Sequence, residues 1–208
     1  MDFHYTYIIM AFGLVLTGHF INLIAFTSLI IIHEFGHVIT ATIYKYRIKK
    51  ITIYPYGGIT EFDTLVNTKI EKDLLIAISG IIFQSIYFYT IFFLYRNGII
   101  REYTYNLFFT YHNSMLLFNV LPIIPLDGSK IINLIFSKYL NLNFSNNLTV
   151  LISFITLSMI LIGGIYEKNY SMVMVVFILL QNIWNYYKKI EYIYNKFVLE
   201  RYLYNIKY

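Results

Sequence analysis

Apolar stretches of membrane-crossing length recur along almost the whole chain, and they constrain the fold more than any other feature. Six can be marked: Tyr5–Thr17, Phe20–Tyr44, Leu74–Tyr95, Tyr103–Leu121, Leu148–Ile165 and Tyr170–Tyr187. A helix needs about 20 apolar residues to cross the hydrocarbon. The first stretch is short of that, and a turn at Gly18-His19 would let it pair with the second as a hairpin. Of the 208 residues, 58% are hydrophobic and only 13% are charged, against about 25% charged in soluble domains. That leaves too little polar surface to keep a globule dispersed in water, so the bilayer is the natural solvent. The N-terminus has neither a charged leading segment nor a small-residue cleavage site, so its apolar stretch is expected to be a retained span.

The positive residues give an independent reading of topology. With the N-terminus in the cytoplasm and six crossings, the inner segments are Lys45–Asp73, Lys130–Asn147 and the tail from Lys188. They hold 13 of the 16 Lys and Arg residues. Cytoplasmic loops of membrane proteins carry such an excess. The net charge of +5 is therefore explained by topology rather than by a nucleic-acid partner. The expected fold is an all-α polytopic membrane protein of about six transmembrane helices, with both termini cytoplasmic. Within it, residues 1–192 form the integral-membrane domain. Residues 193–208 form an interfacial tail, suggested by the alternation of aromatic and charged residues after Lys188.

One segment departs from the helical pattern. Lys49-Lys50-Ile51-Thr52-Ile53-Tyr54 is rich in β-formers, Pro55-Tyr56-Gly57-Gly58 punctuates it, and Ile59-Thr60-Glu61-Phe62 resumes the β character. This predicts a small β element at the inner membrane surface.

The second span carries His33-Glu34-Phe35-Gly36-His37. Residues four apart share a helix face, so both imidazoles can reach one zinc ion, and Glu34 can act as general base on the attacking water. The apolar setting sharpens the match. An ionisable side chain near the bilayer centre costs about 2.5–3.5 kcal/mol on insertion scales, and three within five residues would be an expensive accident. The chain has no cysteine, so further ligands must be His or carboxylate. A catalytic zinc takes three protein ligands and keeps an open position. Of the 11 acidic residues, only Glu34 and Asp127 lie within or just beyond the apolar part of a span, which makes Asp127 the candidate third ligand.

Asp127 follows Asn119-Val120-Leu121-Pro122-Ile123-Ile124-Pro125-Leu126. Pro122 and Pro125 each remove a backbone donor and clash with the preceding turn, so the helix must end near Leu121. Broken backbone at membrane depth is tolerated only when buried or lining a wet cavity, and its freed groups could pair with an extended substrate. Asn119 could hold a substrate carbonyl or brace the site. His4 and His19 read as interfacial residues and His112 as a polar group in helix packing. Gly80 and Gln84 suggest close helix contact, with Gln84 also able to bond near the site. An ion-transport reading would call for polar residues through other spans and an inverted repeat, and neither is visible.

These residues resemble the site-2 protease family of intramembrane zinc metalloproteases. The matching pieces are Leu16-Thr17-Gly18-His19, His33 through His37, Arg47-Ile48-Lys49-Lys50, Pro55-Tyr56-Gly57-Gly58, Asn119 through Gly128, and Leu199-Glu200-Arg201-Tyr202. The Pro-Tyr-Gly-Gly stretch and the tail are similar to the sporulation-type subgroup, which cleaves a membrane-tethered pro-sigma factor. The resemblance implies one zinc ion on His33, His37 and Asp127, Glu34 as catalytic base, and Asn119 as a site-stabilising or substrate-contacting residue. It implies cleavage in or near the membrane with release of a cytosolic product, in a bacterial cell or forespore membrane. The partners it implies are a membrane-tethered protein substrate and membrane inhibitors or regulators. Relatives of this type often continue into a nucleotide-sensing CBS domain; the sequence ends at Tyr208, so the expectation is a form without it. A further departure is Gly80-Ile81, where relatives often have Gly-Pro.

Overall fold

A computed structural model describes residues 1–62 and 68–204. Residues 63–67, within the inner segment Lys45–Asp73, and the last four residues of the tail lie outside the described residues. The chain divides into two compact units: Met1–Thr64 with Leu75–Leu117, and Leu65–Leu74 with Phe118–Tyr208.

In the first unit, β1 (Asp2–Phe3) leads into α1 (Tyr5–Leu16), and α2 (Phe20–Ile43) follows. The turn between the helices needs Gly18, whose φ is +77°, a region glycine enters without steric cost. Next come β2 (Ile48–Tyr54) and β3 (Gly57–Phe62), then α3 (Ile70–Arg96) and α4 (Glu102–Val120), of which residues 75–96 and 102–117 belong to this unit. The predicted β element is thus a hairpin, closed where Tyr54 pairs with Gly57. The sheet has a third strand, β1, parallel to β2, with Asp2 opposite Thr52. Two residues carry no readable alternation, which is why the sequence does not reveal it.

The stripe Ala25, Leu29, His33, His37 and Ala41 is buried along α2, and Ile24, Phe35, Ile39 and Ile43 are exposed. The four-residue spacing keeps the stripe on one face. Apolar residues on the outer face as well mark a helix that meets lipid there. Ala25, Leu29 and Ile30 pack in a core with Tyr7, Ile53, Ile91, Phe108 and Met115. Gly36 lets α2 and α3 touch backbone to backbone: a Cβ there would stand 2.6 Å from the Ser79 carbonyl oxygen and 3.0 Å from the Gly80 Cα.

In the second unit, α5 (Asp127–Tyr139), α6 (Leu142–Tyr166) and α7 (Tyr170–Tyr204) pack around Ile123, Ile124, Leu126, Val150, Leu157, Val176, Leu179, Ile183 and Ile190. A buried polar layer joins them. Asn133 donates to Asn146 Oδ1 at 2.9 Å and to Thr149 Oγ1 at 3.0 Å, and Tyr186 donates to Asn146 Oδ1 at 3.1 Å. Two elements differ from expectation. Part of the inner segment Lys130–Asn147 lies in α5, a helix of 13 residues that opens at Asp127; its polar and apolar residues mix at helical spacing without a long apolar run. The boundary drawn at 192/193 falls inside α7, because no Gly or Pro interrupts the run from Tyr170 to Tyr204.

Among the described residues, α2, α3 and α6 are long and apolar enough to cross a membrane. At 24, 27 and 25 residues, each exceeds the roughly 30 Å hydrocarbon core at about 1.5 Å per residue. Of the other three expected spans, α1 has only 12 residues. The stretch forming α4 is diluted by Asn106, His112, Asn113 and Asn119, and the expected span in α7 by Gln181, Asn182 and Asn185.

Candidate metal centre

The His33, Glu34 and His37 side chains project from the buried stripe of α2, each less than 5% exposed. Their ligand atoms all lie within 4.8 Å of one another. The two imidazoles present Nε2 to Nε2 at 3.2 Å. Two nitrogens about 2.0–2.1 Å from a tetrahedral zinc stand ~3.3 Å apart, so the pair already has the separation that sharing one ion demands. The far side of His37 is fixed, its Nδ1 standing 2.7 Å from the Ile76 carbonyl oxygen. A carbonyl only accepts, so Nδ1 carries the proton and the lone pair is left on Nε2. His33 Nδ1 lies 3.1 Å from Gln84 Oε1.

Space for an ion is kept by a glycine. A Cβ on Gly80 would stand 2.8 Å from His33 Nε2, 2.7 Å from His37 Cε1 and closer still to His37 Nε2. Any larger residue would therefore fill the volume in front of both nitrogens. The donor set, its separation and this cradle all fit zinc.

Glu34 is positioned by the hairpin. Side chains two apart on a strand share a face, so Gly58 and Thr60 of β3 both turn toward it. The Thr60 hydroxyl donates to Glu34 Oε2 at 2.6 Å, and a Cβ on Gly58 would come within 2.5 Å of Glu34 Oε1. The strand thus lies flat on the carboxylate, with one hydroxyl holding one oxygen.

The remaining sequence-predicted residues lie in the second unit. Asn119 is in the last turn of α4, and Pro122 and Pro125 lie in the break before α5. The helix ends where the prolines predict. N–H groups of the break find partners: Leu121 N–H bonds Phe118 O, Ile123 N–H bonds Leu121 O and Leu126 N–H bonds Ile123 O. Ser153 of α6 accepts from Ile124 N–H at 3.2 Å and reaches the Pro122 carbonyl at 3.0 Å. Asp127 opens α5, is 4% exposed, and is bonded at Oδ1 by Lys130 at 2.9 Å. A Cβ on Gly128 would meet the Leu121 carbonyl oxygen at 2.5 Å and that of Val120 sooner, so only glycine lets the chain fold back here.

The chain is similar over 200 residues, at 31% identity, to stage IV sporulation protein FB of Bacillus subtilis, covering 95% of this chain and 69% of that one. It belongs to peptidase family M50, the site-2 proteases. The model of that family matches residues 21–107, the stretch that carries α2, the hairpin and α3. A second relative is the zinc metalloprotease MJ0392 of Methanocaldococcus jannaschii, 27% identical over 149 residues; the match covers 70% of this chain and 43% of that protein. In fold, the chain resembles the site-2 protease from Methanocaldococcus jannaschii, with a TM-score of 0.70 at 23% identity and 88% coverage of each chain. This M50 chain is accordingly a zinc metalloendopeptidase of the membrane, and His33, Glu34 and His37 could hold its metal.

Sequence reasoning missed Thr60 and the Ile76 carbonyl. A threonine in a β-prone run is ordinary, and a backbone oxygen has no sequence signature. It half-found Gln84, and it read His112 as a polar group in helix packing, which fits its bond to Gln84 and its stacking on Phe88 at 4.3 Å. The four-residue spacing of Gly80 and Gln84 on α3 was the available signal, since it matches that of His33 and His37.

Proposed function

We propose that this enzyme cuts a peptide bond in or near the membrane segment of a tethered protein and releases a cytosolic product. In this reading His33, His37 and Asp127 hold zinc, and Glu34 is the general base. The observation that carries it is the convergence of two Nε2 atoms at 3.2 Å beside a buried carboxylate. Bound zinc supplies Lewis acidity, polarising the scissile carbonyl and making water acidic enough to lose a proton near neutral pH. Glu34 takes that proton at Oε1, Oε2 being held by Thr60. The water oxygen bonds to the carbonyl carbon, the C–N bond breaks, and Glu34 returns the proton to the leaving amine. Burial and its place beside the proline-bounded break support Asp127 as third ligand. Asn119, with the Pro122 and Pro125 break, would hold the substrate extended.

Six crossings with cytoplasmic termini remain the topology that the charge distribution supports. A membrane-tethered pro-sigma factor or similar regulator is the substrate class, supported by similarity to a sporulation protein, and membrane inhibitors or regulators are the fitting partners. The test is a reconstituted membrane with a tethered substrate. Glu34→Gln should retain zinc and lose cleavage; full activity in that variant overturns the assigned role. Comparing membrane proteomes with the parent and Glu34→Gln identifies the substrate by its shortened product.

A further inference from the structure

Gln84 is fully buried in an apolar helix, where a primary amide is costly unless its groups are paired. All of its pairing runs between two histidines. Its Oε1 lies 3.1 Å from His33 Nδ1; its Nε2 lies 3.1 Å from His112 Nδ1 and donates to the His112 backbone oxygen at 3.1 Å. The direction of this chain can be deduced. The His112 carbonyl can only accept, so the amide end facing it must be the NH2. The end facing His33 must then be the oxygen, which can only accept, so His33 Nδ1 carries the proton. The proton is therefore absent from His33 Nε2, the atom that converges with His37 Nε2. On the other side, His112 Nδ1 accepts the second amide hydrogen, and the ring lies flat on Phe88 at an interplanar angle of 4°.

We propose that Gln84 is a positioning residue for His33. It relays the polarity of the His112 carbonyl through its amide and so fixes His33 in the tautomer that can bind metal. His37 gets the same setting from a carbonyl directly, that of Ile76. His33 has Gln84 at that position, and the amide bridges to the carbonyl on α4. The inference rests on the reading of His33 as a zinc ligand. Partners on the far nitrogen of a ligating histidine typically matter by about 10–100-fold in metal affinity.

The first test uses the parent chain in lipid nanodiscs, stripped with chelator and carrying 15N-labelled histidine. His33 should show a protonated Nδ1 and an unprotonated Nε2, and a proton on Nε2 overturns the proposal. The second test measures zinc affinity by competition with a chelator. Gln84→Met keeps length and apolar fit but removes the acceptor, and should weaken zinc binding about 10–100-fold, with activity recovered at raised zinc. Gln84→Glu keeps an acceptor for His33 and should bind zinc more tightly than Gln84→Met. A purely packing role gives the opposite order, because the carboxyl is the harder group to bury, and that order overturns the relay. His33→Ala separates the two levels. If it binds zinc as the parent does, the ligand reading fails; if it loses zinc while Gln84→Met does not, only the relay fails.

Discussion

Gly80→Ala sets two well-known effects against each other. In a helix interior alanine is favoured over glycine by about 0.8–1.0 kcal/mol, so propensity alone predicts a more stable protein. The structure predicts the reverse at the metal. The new Cβ would stand 2.8 Å from His33 Nε2 and 2.7 Å from His37 Cε1, where ordinary contact begins near 3.4 Å. His37 Nε2 would be closer still, so the rings must retreat by at least about 0.6 Å, since contact repulsion is steep below that separation. They are not free to do so, because His37 is tied to the Ile76 carbonyl and His33 to Gln84. Overpacking of this kind costs about 1–3 kcal/mol, which outweighs or cancels the propensity gain. Zinc sites tolerate ligand displacements of only about 0.2 Å, so binding should suffer more than folding. The expected result is a zinc dissociation constant raised at least tenfold, about 1.4 kcal/mol, with thermal stability of the stripped protein unchanged or modestly lower. Chelator competition and thermal unfolding in detergent measure both. A Gly80→Ala protein that binds zinc like the parent and melts higher would refute the cradle argument, leaving helix propensity as the whole effect.

Three further outcomes follow from named contacts. Thr60→Val removes a hydrogen bond to a charged group, about 1.5–3 kcal/mol; kcat should fall roughly ten- to hundredfold with zinc content unchanged, and Thr60→Ser should restore most of it. Ser153→Ala leaves the Ile124 N–H without its partner, which should lower stability by about 1–3 kcal/mol in thermal unfolding. Asp127→Ala removes the proposed third ligand and should drop zinc below one per chain at limiting metal, by elemental analysis; full occupancy there would move the ligand role elsewhere.

The parts of this molecule that were readable from sequence are those in which one residue type forces one physical consequence. Paired prolines must end a helix, and α4 stops at Val120, two residues before the first. Histidines four apart must share a face, and they share the buried stripe of α2. The Pro55–Gly58 punctuation must turn a strand, and Tyr54 meets Gly57 across it. What could not be read depends on approach between distant segments. Thr60 matters because β3 lies over α2, Gln84 because α3 carries it between His33 and His112 of α4, and Ser153 because α6 passes the break after α4. The two-residue strand β1 and the unbroken course of α7 belong with these, since neither local pattern distinguishes them from a loop or a separate tail.

An apolar helix can carry zinc-binding side chains, but not the groups that make them competent. The backbone carbonyls in the middle of α2 are engaged in its own helix, and Ile32, Phe35 and Val38 beside the motif carry no polar side-chain atom. The orienting atoms come from three other elements: the Ile76 carbonyl and Gln84 on α3, the His112 carbonyl on α4 behind Gln84, and the Thr60 hydroxyl on β3. The approaches of α3 and β3 are close enough to require small residues, Gly36 and Gly80 between the helices and Gly58 under the strand. In a low-dielectric span each unpaired polar group would cost several kcal/mol, so the glycines and the polar partners are one requirement. Backbone contact delivers the hydrogen bonds that let three ionisable groups exist inside the membrane. The distribution of glycine opposite the metal motif should therefore be as diagnostic of a working site as the motif itself.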